Sequence, residues 1–300
     1  KLCLNSGEML GMSDQMSMIF EVNDLTVASP ATVSRCGMVY MEPESLTLAP
    51  LIVTWLERIP SLLVESIRSE LVRLFDAYLE SSITFIKRFT AESLITVSCN
   101  LCQSLLKILD TTMLAFNIPE GFEPPKQADI DAVVQNIESL FLFALVWSIG
   151  ATTNEVGRER FSEFLRLETL TNGVKLPFPN EGLVYDYTID TTIGKWVEWL
   201  DTVEPHEIAS GLDFADMVIP TKDSVRNVAL LQKLLTNRFQ VLCVGPTGTG
   251  KTINIESYLM HEMDASKYIP LVTSFSAQTS ANDAQMFLDS KMEKRKKGVF

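Results

Sequence analysis

The fold of this chain is decided by the stretch Gly245-Pro246-Thr247-Gly248-Thr249-Gly250-Lys251-Thr252. It fills every fixed position of the pattern G-x-x-x-x-G-K-[ST]. The apolar run from Phe239 to Val244 before it predicts a buried parallel strand. Ile255, Leu259 and Met260 after it recur at helical spacing. Strand, glycine-rich turn and helix in this order are the setting in which the pattern binds phosphate, which disfavours a chance glycine-rich turn.

Each residue type in the loop has a chemical reason. Gly245, Gly248 and Gly250 let the backbone curl, so that its N–H groups point at phosphate oxygens, and the helix N-terminus adds partial positive charge. Lys251 is expected to reach the β- and γ-phosphates, and the Thr252 hydroxyl is expected to bind Mg²⁺. The motif therefore predicts ATP or ADP with Mg²⁺ as the cofactors.

Composition bounds the function classes. The 300 residues are 46% hydrophobic, enough for roughly two domains with real cores, and the net charge is −13. Such an acidic chain argues against nucleic-acid binding, and the basic cluster Lys294–Lys297 is interpreted as a solvated helix end. The most apolar segment, Leu140–Trp147, is too short to cross a bilayer. We expect a soluble protein with no nucleic-acid or membrane partner.

The cysteines indicate a reducing compartment, because there are five and most lie in apolar runs. Cys99 and Cys102 form a lone C-x-x-C, with no second pair and no nearby histidine. Two thiols one helical turn apart on a buried face are therefore favoured over a metal site.

Hydrophobic periodicity predicts the elements before the loop. β-like runs with loops fill the first 45 residues, and proline and glycine punctuate the connector Thr171–Ser210, whose aromatic content predicts an ordered segment packed on a neighbouring surface. The predicted strands are Thr26–Ala28, Gly37–Met41, Leu183–Tyr187 and Trp196–Trp199, and Ser13–Ile19 is a possible helical turn. The predicted helical regions are Leu46–Phe116, Ile130–Ile149 and Val156–Leu167, with a proline-rich break at Asn117–Pro125.

Several motifs together resemble dynein heavy chains of the axonemal type, from late in the second AAA+ module into the early third. The most specific is the run Ala28-Ser29-Pro30-Ala31-Thr32-Val33-Ser34-Arg35-Cys36-Gly37. The others are Lys1–Glu8, Met18–Val22, Trp147–Gly150, Leu176–Pro179, Val218–Thr221 and Phe275–Ala281.

The resemblance implies an α/β fold made of AAA+ P-loop NTPase modules, each with a parallel large domain and an all-α lid. The expected divisions are the end of the second large domain over 1–45, its lid over 46–170, a connector over 171–212, and the start of the third large domain over 213–300.

The resemblance also implies roles for particular residues. Asn5 matches the polar residue called sensor 1, and Arg35 matches the arginine finger that reaches from the second module into the nucleotide site of the first. Its alternative is a structural arginine that caps a strand or pairs with Glu42. Ile219 and Pro220 resemble the segment beside the adenine base, and their alternative is a plain helix-entry turn. A sensor 2 arginine has no assigned position, because Asn100 occupies a plausible one.

No apolar strand ending in Asp-Asp or Asp-Glu follows residue 252, so the chain is expected to be an internal part of a larger protein. We expect it to bind ATP weakly and not to hydrolyse it by itself.

The function implied by the resemblance is part of an ATP-driven, minus-end-directed microtubule motor with a regulatory third module. Its implied partners are the other AAA+ modules of the same heavy chain, microtubules through a distant stalk, and intermediate and light chains through the tail. The implied location is the cytoplasm and cytoskeleton, in the axoneme of a cilium or flagellum. The alternatives are a stand-alone P-loop switch that binds ATP and a non-enzymatic ring scaffold.

Overall fold

The structure is a computed structural model that describes residues 2–3, 6–41, 47–113, 116, 125–203 and 219–292. It divides into one compact unit over residues 1–47 and a second over residues 48–300. The predicted break at 117–125 lies almost wholly outside the described residues, as does the basic cluster at 294–297.

The described residues of the first unit contain a short hairpin and one short helix. Strands β1 (Leu2–Cys3) and β2 (Met9–Leu10) pair antiparallel. Helix α1 (Pro30–Val33) starts where the sequence provides a cap, because the Ser29 hydroxyl accepts the N–H of Thr32 at 3.1 Å and proline suits the first helical position.

Two strand predictions for this unit are wrong, and the possible helical turn is formed only in part. Thr26–Ala28 lies in a turn closed by the N–H of Ala28 on the Leu25 carbonyl, 3.0 Å away, and Gly37–Met41 pairs with no described strand. Ser13–Ile19 forms only a turn at its start. A β-strand requires hydrogen bonds to a neighbouring strand, and a local run of apolar residues does not provide that neighbour.

The second unit begins with three helices, as the sequence predicts for Leu46–Phe116: α2 (Ala49–Leu56), α3 (Ser61–Phe89) and α4 (Ser98–Met113). The long helix α3 buries one side completely, since Ile67, Leu71, Leu74 and Tyr78 recur at intervals of three and four residues and are 0% exposed. These side chains form the centre of the core.

The helix predicted over 130–149 is two helices, α5 (Gln127–Gln135) and α6 (Ile137–Ser148). The break lies at Asn136, whose side-chain amide donates to the carbonyls of Ala132 and Thr191 at 2.8 and 3.2 Å. Helix α6 is buried on nearly every side, which explains its continuous apolar sequence. The next helix, α7 (Glu155–Thr171), confirms the prediction for 156–167, and Asn154 caps its start.

The described part of the connector, residues 171–203, packs on the helices, as predicted, and its remainder lies outside the described residues. Strands β3 (Tyr187–Asp190) and β4 (Lys195–Glu198) form an antiparallel hairpin with Tyr187 opposite Glu198. The strand predicted at 183–187 is wrong for its first part, because Val184–Asp186 is a 3₁₀ turn. There Tyr185 is 0% exposed, and this burial in the core overrides the local preference for a strand.

Residues 219–292, the last part that the structure describes, hold three helices and one π-helical turn. The helices are α8 (Lys222–Thr236), α9 (Lys251–Ser257) and α10 (Ala281–Lys291), and the π-helical turn is Tyr258–Glu262. The parallel strand predicted at Phe239–Val244 is not formed: the segment is extended, but no described segment pairs with it. Leu242, which such a strand would bury, is 87% exposed.

Among the described residues, no single helix is long and apolar enough to span a membrane. Gln127–Gln135 and Ile137–Thr152 reach that length only together, and they bend by 64° at their break.

Candidate nucleotide-binding site

The phosphate loop has the backbone that its glycines predict. Gly248 and Gly250 adopt φ angles of +83° and +73°, a region that side-chain-bearing residues rarely occupy. Gly250 is the cap residue of α9, so Lys251 is the first residue of that helix. The chain therefore turns from the extended segment 239–244 into a helix at the place where the motif requires it.

Lys251 lies across the inside of this loop. Its Nζ donates to the carbonyl of Gly245 at 2.9 Å, to that of Pro246, and to the Thr249 hydroxyl at 3.1 Å. The same hydroxyl donates to the carbonyl of Pro246 at 3.0 Å. An ammonium held by neutral acceptors inside a glycine loop can exchange them for phosphate oxygens, to which its hydrogen bonds are stronger.

The other predicted ligands of the nucleotide are accessible. Thr252, the predicted Mg²⁺ ligand, is exposed in the first turn of α9, and Thr247 is exposed in the loop. Ile219 is 65% exposed and Pro220 is half-buried just before α8. The side chains of Thr247, Thr252 and Ile219 are therefore accessible to a ligand.

Two of the acidic residues described after the loop serve local structure. Asp283 accepts the hydroxyl of Ser280, 2.7 Å away, in the capping box of α10, and this hydrogen bond lowers the pKa of the carboxyl. Asp264 accepts from the hydroxyl of Ser266 at 2.6 Å, which lowers its pKa as well. Each carboxylate is already engaged by its own turn.

The two predicted catalytic residues belong to the first unit. Arg35 is exposed, just after α1, and its N–H donates to the Thr32 carbonyl at 3.2 Å. Asn5 and Glu42 lie outside the described residues, so the structure does not choose between the finger and the ion pair for Arg35.

Sequence reasoning missed the residues that join the connector to the helices. The guanidinium of Arg166 in α7 donates to four backbone carbonyls of one loop, those of Phe178, Pro179, Glu181 and Gly182. Burial lowers the pKa of Arg166, and the carbonyls compensate the charge. The one available signal was the Leu176–Pro179 motif.

The Trp147–Gly150 motif has a packing explanation. The Tyr185 hydroxyl donates to the carbonyl of Gly150 at 2.6 Å, and a Cβ on Gly150 would lie 2.5 Å from the Phe161 ring. The Trp147 ring meets Tyr185 edge-on, with the centroids 5.9 Å apart. These residues pack the connector against α6 and α7.

Cys99 and Cys102 lie one turn apart on α4, as predicted. Cys102 is buried, and burial raises the pKa of its thiol to about 11, which keeps it protonated and inert. Among the described residues, no group of three or more His, Cys, Asp or Glu side chains could hold a metal ion.

A glycine-rich loop of the form G-x-x-x-x-G-K-[ST] that leads into a helix defines the class of P-loop NTPases. Residues 71–201 match the family model of the dynein heavy chain AAA lid domain, and residues 206–300 match the P-loop containing dynein motor region. The chain belongs to the dynein heavy chain family, and its fold class is α/β AAA+.

Its relatives are axonemal by name. The whole chain aligns with human dynein axonemal heavy chain 1 at 43% identity, with human dynein axonemal heavy chain 12 at 37%, and with human dynein axonemal heavy chain 2 at 35%. The chain spans 7%, 10% and 6% of the lengths of these three proteins.

Proposed function

We propose that this chain is the part of an ATP-driven, minus-end-directed microtubule motor that carries the nucleotide-binding loop of a regulatory third module. The loop of residues 245–252 supports this, because Gly248 and Gly250 adopt positive φ and the Lys251 ammonium lies inside the curl. ATP or ADP would bind with its phosphates at the loop N–H groups and Lys251, with Mg²⁺ on Thr252 and the base beside Ile219 and Pro220.

The module boundaries follow the same reasoning. The second large domain would end near residue 45, its lid would occupy 46–170, the connector 171–212, and the third large domain would begin at 213. The compact unit that ends at residue 47 supports the first of these boundaries, and the core shared by Phe141, Phe161 and Tyr185 supports a connector that stays packed on the lid.

Arg35 would act in trans, as an arginine finger on the nucleotide of the first module, with Asn5 as the sensor 1 residue of the second. Its exposure after a short capped helix supports this role. Replacing Arg35 by lysine keeps the charge but loses the planar fork. We expect the ATP turnover of the heavy chain that carries these residues to fall, and unchanged turnover would contradict the role.

The partners of the whole protein would be its other AAA+ modules, microtubules, and intermediate and light chains. Its place would be the cytoskeleton of the axoneme in a cilium or flagellum, in keeping with the names of its relatives. Both family models describe dynein modules, which favours this function over a stand-alone switch or a non-enzymatic scaffold.

The test is nucleotide binding by the 300-residue chain, measured by titration with fluorescent ATP in the presence of Mg²⁺. A hydrogen bond to a charged group contributes about 1.5–3 kcal/mol, so Lys251→Ala is expected to weaken binding about 10- to 100-fold. Lys267→Ala is the control, since Lys267 is exposed and pairs with Asp264 at 3.1 Å in a turn of its own.

Equal affinities of the wild type and Lys251→Ala would overturn the assignment of the site. We expect no ATP turnover by the isolated chain; turnover that disappears in Lys251→Ala would refute that expectation.

A further inference from the structure

Helix α8 links the two ends of the candidate nucleotide site. It begins at Lys222, directly after the segment predicted to lie beside the base, and it contacts α9, the helix that follows the phosphate loop. Its start is fixed by reciprocal hydrogen bonds, because the hydroxyl of Thr221 accepts the N–H of Ser224 at 3.1 Å and the N–H of Thr221 donates to Ser224 Oγ at 2.8 Å. A shift of α8 would therefore move Ile219 and Pro220 with it.

The position of α8 is set by the helices and the connector before it. Val225, Ala229 and Leu230 pack against the core formed by those elements. Apolar packing holds a helix against a surface but tolerates small shifts of the helix along that surface, because the hydrophobic effect is non-directional.

Two cationic side chains on α8, those of Lys222 and Arg226, make specific contacts that fix its position along this surface. Lys222 Nζ lies 3.4 Å from Asp186 Oδ1 and 4.0 Å from Glu198 Oε2, two carboxylates at the open end of the connector hairpin, where Tyr187 pairs with Glu198. The side chain of Asp186 is 16% exposed and also accepts the N–H of Leu183 at 2.8 Å, so it is a fixed partner.

Arg226 lies one turn further along α8, and its side chain is 12% exposed. Its guanidinium is 5.6 Å from the centroid of the Trp147 ring, and it also pairs with Asp223. The burial of a permanent cation against an aromatic face fixes both partners, because leaving that face would forfeit the interaction with the ring.

We propose that Lys222 and Arg226 are positioning residues that hold Ile219 and Pro220 in place for the base of a nucleoside triphosphate, through their contacts with Asp186, Glu198 and Trp147. The inference rests on the function proposed above and adds to it the residues that would prepare the base-binding segment. Preorganised contacts of this kind increase affinity by removing the cost of ordering the segment on binding.

The test compares two ligands of the 300-residue chain, ATP and inorganic tripolyphosphate, each with Mg²⁺ and measured by calorimetry. Tripolyphosphate reports the phosphate loop alone, because it has no base. The double variant Lys222→Met/Arg226→Met removes the half-buried ion pairs of Lys222 and the buried ring contact of Arg226. We expect it to lower the affinity for ATP by about 3- to 10-fold. The affinity for tripolyphosphate should remain within about twofold of the wild type.

Lys267→Met is the matched control, because it removes a lysine–aspartate pair from the exposed surface after α9. A merely structural role for the two cations would lower the affinities for both ligands together, and that result, or no change in either, would overturn the proposal.

A milder variant covers the case in which the double variant fails to fold. Asp186→Asn removes the charge that faces Lys222 but keeps an oxygen for the N–H of Leu183. Asp186→Asn should lower the affinity for ATP by about two- to threefold and leave the affinity for tripolyphosphate unchanged. The loss should vanish when Asp186→Asn is combined with Lys222→Met. A wild-type chain that binds neither ligand would refute the proposed function itself, whereas binding with no selective loss refutes only the positioning role.

Discussion

The region from 48 to 203 and the region from 219 to 292 differ in how far their large apolar side chains are exposed to solvent. In the first, Phe141 and Leu145 are 0% exposed. In the second, Leu242, Ile269 and Phe275 are 87%, 85% and 70% exposed. The difference follows from the elements, because the amphipathic helices of the first region bury their apolar sides against one another, whereas the extended segments of the second pair with no described strand.

The first region forms the stable core of the chain, and the second carries the candidate ligand-binding loop. The first region is a packed body with aromatic rings in edge-on and stacked contacts, such as Phe75 on Phe141 with centroids 5.1 Å apart. The second region carries the phosphate loop, and most of its side chains are accessible. We expect substitutions to affect unfolding strongly in the first region and weakly in the second.

The largest effect is expected when a phenylalanine is removed from the packed region. Phe141→Ala should lower the free energy of unfolding by about 3–5 kcal/mol, because it leaves a cavity beside Phe75 and Tyr78. The matched control is Phe275→Ala, which should change the free energy by no more than about 0.5 kcal/mol. Urea unfolding followed by tryptophan fluorescence measures both, and similar losses in the two variants would contradict the distinction between the regions.

A smaller effect is expected when a methyl group is added to the packed region. In Gly150→Ala the new Cβ would lie 2.5 Å from Phe161 Cε1 and 2.8 Å from the hydroxyl of Tyr185. Overpacking of this kind costs about 1–3 kcal/mol. Gly11→Ala is the control, since no heavy atom lies within 4 Å of its Cβ position. If both variants unfolded at the same urea concentration as the wild type, close packing around Gly150 would be disproved.

The smallest effect concerns pH. Asp110 of α4 accepts the indole N–H of Trp55 at 2.7 Å, and burial nevertheless raises the pKa of its carboxyl above the ordinary value of 3.8. The carboxyl of Asp110 therefore binds its proton more tightly in the folded chain than in the unfolded chain. Its contribution to the free energy of unfolding is complete below pH 3.8 and is lost as the pH rises through the pKa of the folded state.

The measurement is the free energy of unfolding of the wild type and of Asp110→Asn between about pH 3 and pH 7. The stability of the variant relative to the wild type should increase with pH across this range, because the amide does not ionise. A constant difference, or one that decreases with pH, would show that burial does not control this carboxyl.

Much of the helical architecture could be predicted from the sequence, because helix signals are local. The apolar repeat of α3 and the capping asparagine before α7 lie within a few residues of the elements that they specify. The glycines of the phosphate loop also act locally, by permitting positive φ at Gly248 and Gly250.

The failures concern features that depend on distant residues. The apolar run at 239–244 has the composition of a buried strand, yet a strand requires a hydrogen-bonded neighbour. The break at Asn136 depends on a carbonyl of Thr191, 55 residues further along the chain. The guanidinium of Arg226 lies over the ring of Trp147, a residue that no spacing rule connects to it.

The sequence by itself determined the phosphate-loop motif, the family and the order of the helices before the loop, since a complete loop pattern, contiguous motifs and a helical period are read from neighbouring residues. Only the tertiary structure decided where α5 and α6 divide, how Arg166 holds the connector loop, and which side chains meet α8. The physical reason is that side-chain packing and ion pairs join residues far apart in the chain, and their geometry is fixed only when the whole core is assembled.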